Sequence, residues 1–384
     1  MRMEPKLCAT EQCSGCTACM SICPVSAIAM RENDRGFLCP TIDTTKCIEC
    51  GLCTAVSKAV SSSVQLRGTQ PKSYKAIKHK DDAQRKKSQS GGLFYAIAKA
   101  VIDRNGVVYG CAYLNNFYVG HIRVDDLNAL ERLRGSKYVQ SDMGNSFSQV
   151  AKDLHLGRTV LFSGTPCQSA GLQVFLDKKH VPVNNLYCCD LICHGVPSPV
   201  LYGKYLKYME AKYNSKIHAV NLRDKSVTIW HDHMDTISFG NGKAYCGKIY
   251  TDLFYSELAM RQSCETCPYA SAMRVSDITI GDCWGIEKKH PQLWNDELGI
   301  SVALVITEKG QELLELAEIQ LDIQELESYT QPTLRQPMPV PKQKENFWKD
   351  YQKLDFETLL KRYTNLGGYP LKIKRKLLRF LKKW

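Results

Sequence analysis

The chain has 384 residues, 44% hydrophobic and 23% charged, an ordinary soluble composition long enough for two or three domains. Its 18 cysteines follow a start, Met1-Arg-Met-Glu-Pro-Lys6, with no apolar leader, and no run approaches membrane-spanning length. That sets aside a secreted disulfide scaffold and points to a reducing, cytoplasmic setting. The net charge of +12 is concentrated, with thirteen Lys/Arg against four Asp/Glu in residues 342–384, so it marks a basic tail and no nucleic-acid partner is expected.

In chain order, the first element is a place for iron. Cys13-Ser-Gly-Cys16-Thr-Ala-Cys19-Met-Ser-Ile-Cys23-Pro24 is followed by Cys47-Ile-Glu-Cys50-Gly-Leu-Cys53. Three thiolates at three-residue steps sit on one tight loop and converge on one face of an iron–sulfur cube. The cysteine before proline reaches the other cluster of a pair. A zinc ribbon needs only two Cys-x-x-Cys pairs, so residues 1–66 read as a ferredoxin-like segment with two [4Fe-4S] clusters. By the crossed scheme, Cys23 completes the set Cys47, Cys50 and Cys53. The set Cys13, Cys16 and Cys19 lacks its fourth thiolate, because Ser57 stands at the expected position. The Ser57 oxygen, Cys8 and Cys39 are open candidates, beside a three-iron or labile cluster.

Residues 67–87 are polar and basic and read as a linker with one short strand at 74–77. The main domain, 88–325, opens at Ser88-Gln-Ser90-Gly91-Gly92-Leu93 and continues with apolar residues at helical spacing through Val101. Strands are expected at 107–113, 159–162, 186–192, 275–280 and 300–306, with helices from Cys167 toward Leu176 and over 199–213. Strand, Gly/Pro loop and helix in repetition predict an α/β sheet with its working loops at one edge. The expected fold is an α+β ferredoxin-like N-terminal domain, an α/β flavin-binding domain and a helical basic C-terminal tail, 326–384. In that tail Ile373, Leu377, Phe380, Leu381 and Trp384 recur at helical spacing, with Lys372, Lys376, Arg379 and Lys383 on much of the other face. Such a helix packs on the protein's own core or lies on an anionic membrane as a peripheral contact at the inner face.

Four cysteines of the main domain fall on loops. Cys264-Glu-Thr-Cys267 points two thiols at one metal, with a redox dithiol and half a zinc site as alternatives. Cys167 stands where a helix begins, a position that favours a thiolate as ligand or nucleophile. With Cys193 these make a candidate third cluster site. Cys111, Cys188, Cys189, Cys246 and Cys283 sit in strand-like or apolar settings and read as buried inert thiols. Ser88, Ser90, Gly91 and Gly92 form either a phosphate cradle or a plain Ser90 N-cap, and Gly135-Ser136-Lys137 is a second turn suited to an anion. Trp230-His-Asp-His233 reads as an exposed loop. His194 and Asp282 are candidate catalytic proton suppliers, with a structural histidine and a capping aspartate as the alternatives.

The loops Ser90-Gly-Gly92, Gly135-Ser-Lys-Tyr-Val-Gln-Ser141, Phe162-Ser-Gly-Thr-Pro-Cys-Gln168, Cys193-His-Gly-Val-Pro-Ser198, Cys264-Glu-Thr-Cys267 and Ser276-Asp-Ile-Thr-Ile-Gly-Asp-Cys-Trp-Gly285 carry a resemblance. The chain resembles the coenzyme F420 hydrogenase/dehydrogenase beta-subunit family, in the branch with an N-terminal two-cluster ferredoxin domain. The resemblance implies FAD at the Ser88–Gly92 and Ser136–Lys137 turns and at Thr165, beside a [4Fe-4S] cluster on Cys167, Cys193, Cys264 and Cys267. It also implies a ferredoxin or deazaflavin electron carrier and hydride exchange with a small-molecule substrate. Relatives among polysaccharide-assembly proteins suggest a glycan precursor. Two residues depart from the family pattern: Ser57, and Cys283 where an aromatic residue is usual. A non-catalytic electron-transfer or assembly subunit docked on a partner is the rival reading.

Overall fold

The computed structural model describes residues 5–62, 67–288, 290–323 and 331–367. Its N-terminal segment is a hairpin of β1 (Ile28–Glu32) and β2 (Leu38–Ile42), followed by the helix Leu52–Ser61. The segment does not stand apart. Its buried Ala18, Ile22, Ile28 and Val56 share one core with Phe147 and Leu172 of the main domain.

The main sheet is built from β3 (Ser73–His79), β4 (Val107–Tyr113), β5 (Val119–Val124), β6 (Val160–Gly164) and β7 (Leu186–Leu191). A smaller sheet holds β8 (Ile217–Asn221), β9 (Asp235–Phe239) and β10 (Ala244–Gly247). β11 (Ile278–Asp282), β12 (Ser301–Val305) and β13 (Ile319–Ile323) return to the main sheet, whose order is β13-β3-β12-β11-β7-β6-β4-β5. Its centre, β11-β7-β6-β4, is parallel and its flanks are antiparallel. All five residues of β6 are buried, as expected for a parallel strand covered on both faces. Alternation sorts them: Val160 and Phe162 join the core under the helices Ser146–His155 and Pro166–Lys178. Leu161 joins the core under Leu93–Ile102 and Glu308–Glu315.

The strands and helices expected in the main domain are present, with ends shifted by up to three residues. Three expectations are corrected. Residues 67–87 are not a linker: β3 pairs with β12 and β13 inside the sheet, and Asp82–Lys87 is a helix capped by Asp81. Ala76 and Ile77 are buried on opposite faces of β3, so the short strand expected at 74–77 lies inside the sheet and is covered on both sides, although half-buried Lys75 and Lys78 made the run look basic. The Trp230–His233 stretch is not an exposed loop, because Trp230 is fully buried and stacks on Trp284, and buried His233 hydrogen-bonds the Tyr255 hydroxyl at 2.6 Å. Cys246 is exposed on β10 and Cys111 is half-buried, whereas Cys188, Cys189 and Cys283 are buried as expected.

In the C-terminal extension, the helices Lys344–Tyr351 and Phe356–Tyr363 bury Phe347, Trp348, Leu359 and Leu360 against Pro199–Tyr213 and the smaller sheet. The apolar and basic faces expected over 372–384 lie outside the described residues. Among those described, no helix is long and apolar enough to cross a membrane.

Candidate functional site

Because β4, β6, β7 and β11 run parallel, their carboxyl ends share one edge, and the loops leaving that edge carry the chemistry. After β6, Thr165 caps the helix Pro166–Lys178 in a reciprocal box with Gln168, which sets Cys167 in the first turn. After β7 come Cys193, His194 and Gly195, and Gly195 N–H points at the Cys193 sulfur (3.4 Å). Gly195 has φ +126°, a backbone conformation that a side chain rarely adopts, and so the loop can fold back over Cys264.

Beside this edge is a cavity of about 110 Å³ into which two sets of cysteines face. One set is Cys167, Cys193, Cys264 and Cys267, brought together from three separate loops; the other is Cys8, Cys13, Cys16 and Cys19. A second cavity, about 20 Å³, is lined by Cys23, Cys47, Cys50 and Cys53, the set expected from crossed ligation. None of the 18 cysteines forms a disulfide. Among the described residues, no three His, Cys, Asp or Glu side chains converge on a single metal ion. A cubane spreads its thiolates around four irons and does not need that convergence.

The electrostatics fit such a group. Burial pushes Cys16 and Cys267 up to about 12 and Cys264 to about 11, and thiols gathered in this number away from water call for a cation that stabilises their ionised form. Cys13 is the exception: hydrogen bonds from Cys39 and Cys8, with the Arg261 guanidinium nearby, hold it well below the usual thiol range. Close approach is arranged too. A Cβ on Gly171, in the helix after Cys167, would lie 2.9 Å from both Cβ and Sγ of Cys16.

Arg261 fastens the cluster segment to the main domain, and nothing in its local sequence announced this. It is buried; Nε donates to Cys13 O at 2.5 Å, Nη1 to Gln140 Oε1 at 2.9 Å, and Nη2 to Leu38 O at 3.0 Å and Cys39 Sγ at 3.1 Å.

A third cavity, about 270 Å³, opens over the carboxyl ends of the same strands. Ser88, Ser90, Gly92, Ser136, Lys137 and Thr165 line it, so both expected turns meet at one place. Gly91 does not line it: its N–H donates to Ser301 Oγ at 2.9 Å, and a Cβ there would lie 2.4 Å from Ile77 O. The Ser90 N-cap reading does not hold, since Gly92 is the cap of Leu93–Ile102 and the Ser90 hydroxyl donates to Asp282. Asp282 also accepts from Arg223 Nη1 and Nη2 at 2.7 and 2.8 Å. Burial would raise its carboxyl, but Arg223 and Ser90 hold it below the usual carboxylate range, which suits an anchor and not a proton donor. His194 lines both large cavities, and burial lowers its pKa, so it stands neutral. The sequence reading missed Arg223, Tyr138 and Trp284 on this wall. Arg223 meets Asp282 across 59 residues, a pairing with no local signal.

Residues 157–329 match the family described as the C terminus of the coenzyme F420 hydrogenase/dehydrogenase beta subunit, and residues 12–56 match the 4Fe-4S dicluster domain. Among solved structures, a chain of the xenon-derivatised F420-reducing [NiFe] hydrogenase complex from Methanosarcina barkeri is 15% identical, with a TM-score of 0.46 over 67% of this chain and 83% of that one. No curated protein matches. The chain is an iron–sulfur electron-transfer protein related, over residues 157–329, to the coenzyme F420 hydrogenase/dehydrogenase beta subunit.

Proposed function

We propose that the chain is an iron–sulfur flavoprotein oxidoreductase. On this reading [4Fe-4S] clusters sit on Cys23/Cys47/Cys50/Cys53, on Cys13/Cys16/Cys19 and on Cys167/Cys193/Cys264/Cys267, and FAD occupies the 270 Å³ cavity. When bound, these groups supply one-electron carriage and two-electron hydride exchange.

The observation that carries the reading is a shared wall. Thr165, Gln168, Cys193, His194, Gly195 and Val196 line both the eight-cysteine cavity and the 270 Å³ pocket, so one layer of residues separates the two spaces, and on this reading it lies between cluster sulfur and flavin. The chain's own side chains prepare that space. Lys137 and the Gly135-Ser136 turn offer a positive, open corner to the anionic part of a dinucleotide. Tyr138, Phe254, Tyr255 and Trp284 supply aromatic wall and exclude water. Neutral His194 is placed to pass a proton between the pocket and the loop. At the other end, exposed Cys50 with exposed Ile48 and Leu52 gives an electron carrier of the ferredoxin or deazaflavin type an approach to the Cys47–Cys53 loop. We assign the substrate to small molecules, with a glycan precursor as the candidate class.

Anaerobic purification of the full chain, with iron, acid-labile sulfide and flavin quantified, tests this. About eight to twelve iron atoms and about one flavin per chain are expected. Iron without any flavin, even after reconstitution, would refute the flavoprotein reading and leave an electron-transfer subunit that acts through a partner.

A further inference from the structure

The position left without a thiol by Ser57 is met from the other end of the segment. Residues 5–8 run beside the helix Leu52–Ser61, pinned by Lys6 N–H donating to Thr54 Oγ1 at 2.8 Å and Cys8 N–H donating to Ser57 Oγ at 2.9 Å. The amides of Gln12 and Cys13 then close a turn on Ala9 O, at 2.9 and 3.0 Å, and return the chain to the first cysteine triplet. This places Cys8 in the lining of the same cavity as Cys13, Cys16, Cys19 and Ser57. Cys39, the other thiol that touches Cys13, is not in that lining. It is buried in β2, where its sulfur accepts from Arg261 Nη2 at 3.1 Å and Asn33 Nδ2 at 3.7 Å.

We propose that Cys8 is the fourth ligand of the iron–sulfur cluster held by Cys13, Cys16 and Cys19, and that Ser57 positions it through the Cys8 amide. The proposal rests on reading that set as a cluster site. A soft thiolate suits iron–sulfur coordination better than a serine oxygen, and the Ser57 hydroxyl is already engaged. On ligation the Cys8 thiol gives its proton to solvent as the sulfur–iron bond forms, with no change of oxidation state. Cys39 is then an outer hydrogen-bond partner of the Cys13 sulfur, fixed by Arg261, and it tunes the cluster without ligating it.

The test compares wild type, Cys8→Ala, Cys39→Ala and the double variant Cys8→Ala/Ser57→Cys. Each full-length chain is purified anaerobically, with iron and sulfide per chain and electron paramagnetic resonance of the oxidised and reduced forms as readouts. Cys8→Ala is expected to lose between about one and about four irons per chain, with a three-iron signal at the lower loss. Cys39→Ala should keep the wild-type iron count, and the double variant should regain it, because residue 57 borders the same cavity. Wild-type iron and spectra in Cys8→Ala would overturn the proposal. So would loss in Cys8→Ala that the double variant does not restore, since that marks a folding defect. A wild type without iron would defeat the cluster reading itself, a separate outcome.

Discussion

Arg261→Met is the sharpest probe of how the cluster segment is held. The arginine is 2% exposed and makes three hydrogen bonds to oxygen, two of them to backbone carbonyls of the N-terminal segment, Cys13 O and Leu38 O. Hydrogen bonds from a charged donor contribute about 1.5–3 kcal/mol each. Gln140 Oε1 keeps its second donor, Leu38 N–H at 3.2 Å, so part of its loss is spared. Removing a buried guanidinium also returns several kcal/mol of desolvation, and the net cost comes to about 3 kcal/mol. Methionine fills most of the volume, so the loss falls on the docking and not on the eight-stranded sheet. Hydrogen exchange of anaerobically prepared protein reads this directly. Amides in 13–42 should exchange about a hundredfold faster, since about 1.4 kcal/mol is tenfold, while β4, β6 and β7 keep their protection. Unchanged exchange in 13–42, or equal acceleration across the sheet, would refute the argument.

Gly171→Ala should cost iron at the Cys13/Cys16/Cys19 set despite better helix propensity, because the new methyl meets Cys16 Cβ and Sγ at 2.9 Å; unchanged iron per chain with unchanged circular dichroism would count against that crowding. Asp190→Ala leaves Arg274, itself 2% exposed and paired to Asp190 at 2.7 Å, as a buried unpaired charge. Urea unfolding should show a loss of about 3–5 kcal/mol, and a loss below about 1 kcal/mol would show that Arg274 finds other compensation. Lys137 donates to the carbonyls of Arg132 and Arg134 and faces the Cys111 thiol and the Tyr113 ring, and burial lowers it from 10.5 to about 8. It is charged below that value and neutral above it, so an anionic flavin nucleotide should bind several-fold more weakly at pH 9 than at pH 7. Lys137→Met should flatten the profile in a fluorescence titration, and a pH slope that persists in the variant would assign the effect elsewhere.

What the sequence determined by itself was local. The cysteine triplets could be read because ligands on one loop are set by spacing alone, and the prediction that Cys23 joins Cys47, Cys50 and Cys53 follows from one proline-marked helix end. The buried parallel strands β4, β6 and β7 were legible as short apolar runs between Gly and Pro loops, since both of their faces must be covered. Only the tertiary structure could decide what rests on residues far apart in the chain. The short strand expected at 74–77 was still assigned to a linker, because the sheet partners of β3 lie more than 200 residues away. Ser90 looked like a cap until the fold brought Asp282 to its hydroxyl, and Arg261 and Arg223 had no signal until their acceptors arrived from other elements. The fourth thiol beside Cys13 was likewise one of several candidates on paper. It is Cys8 that faces the cavity because hydrogen bonds spanning 48 and 49 residues lay the N-terminal stretch along the helix that carries Ser57.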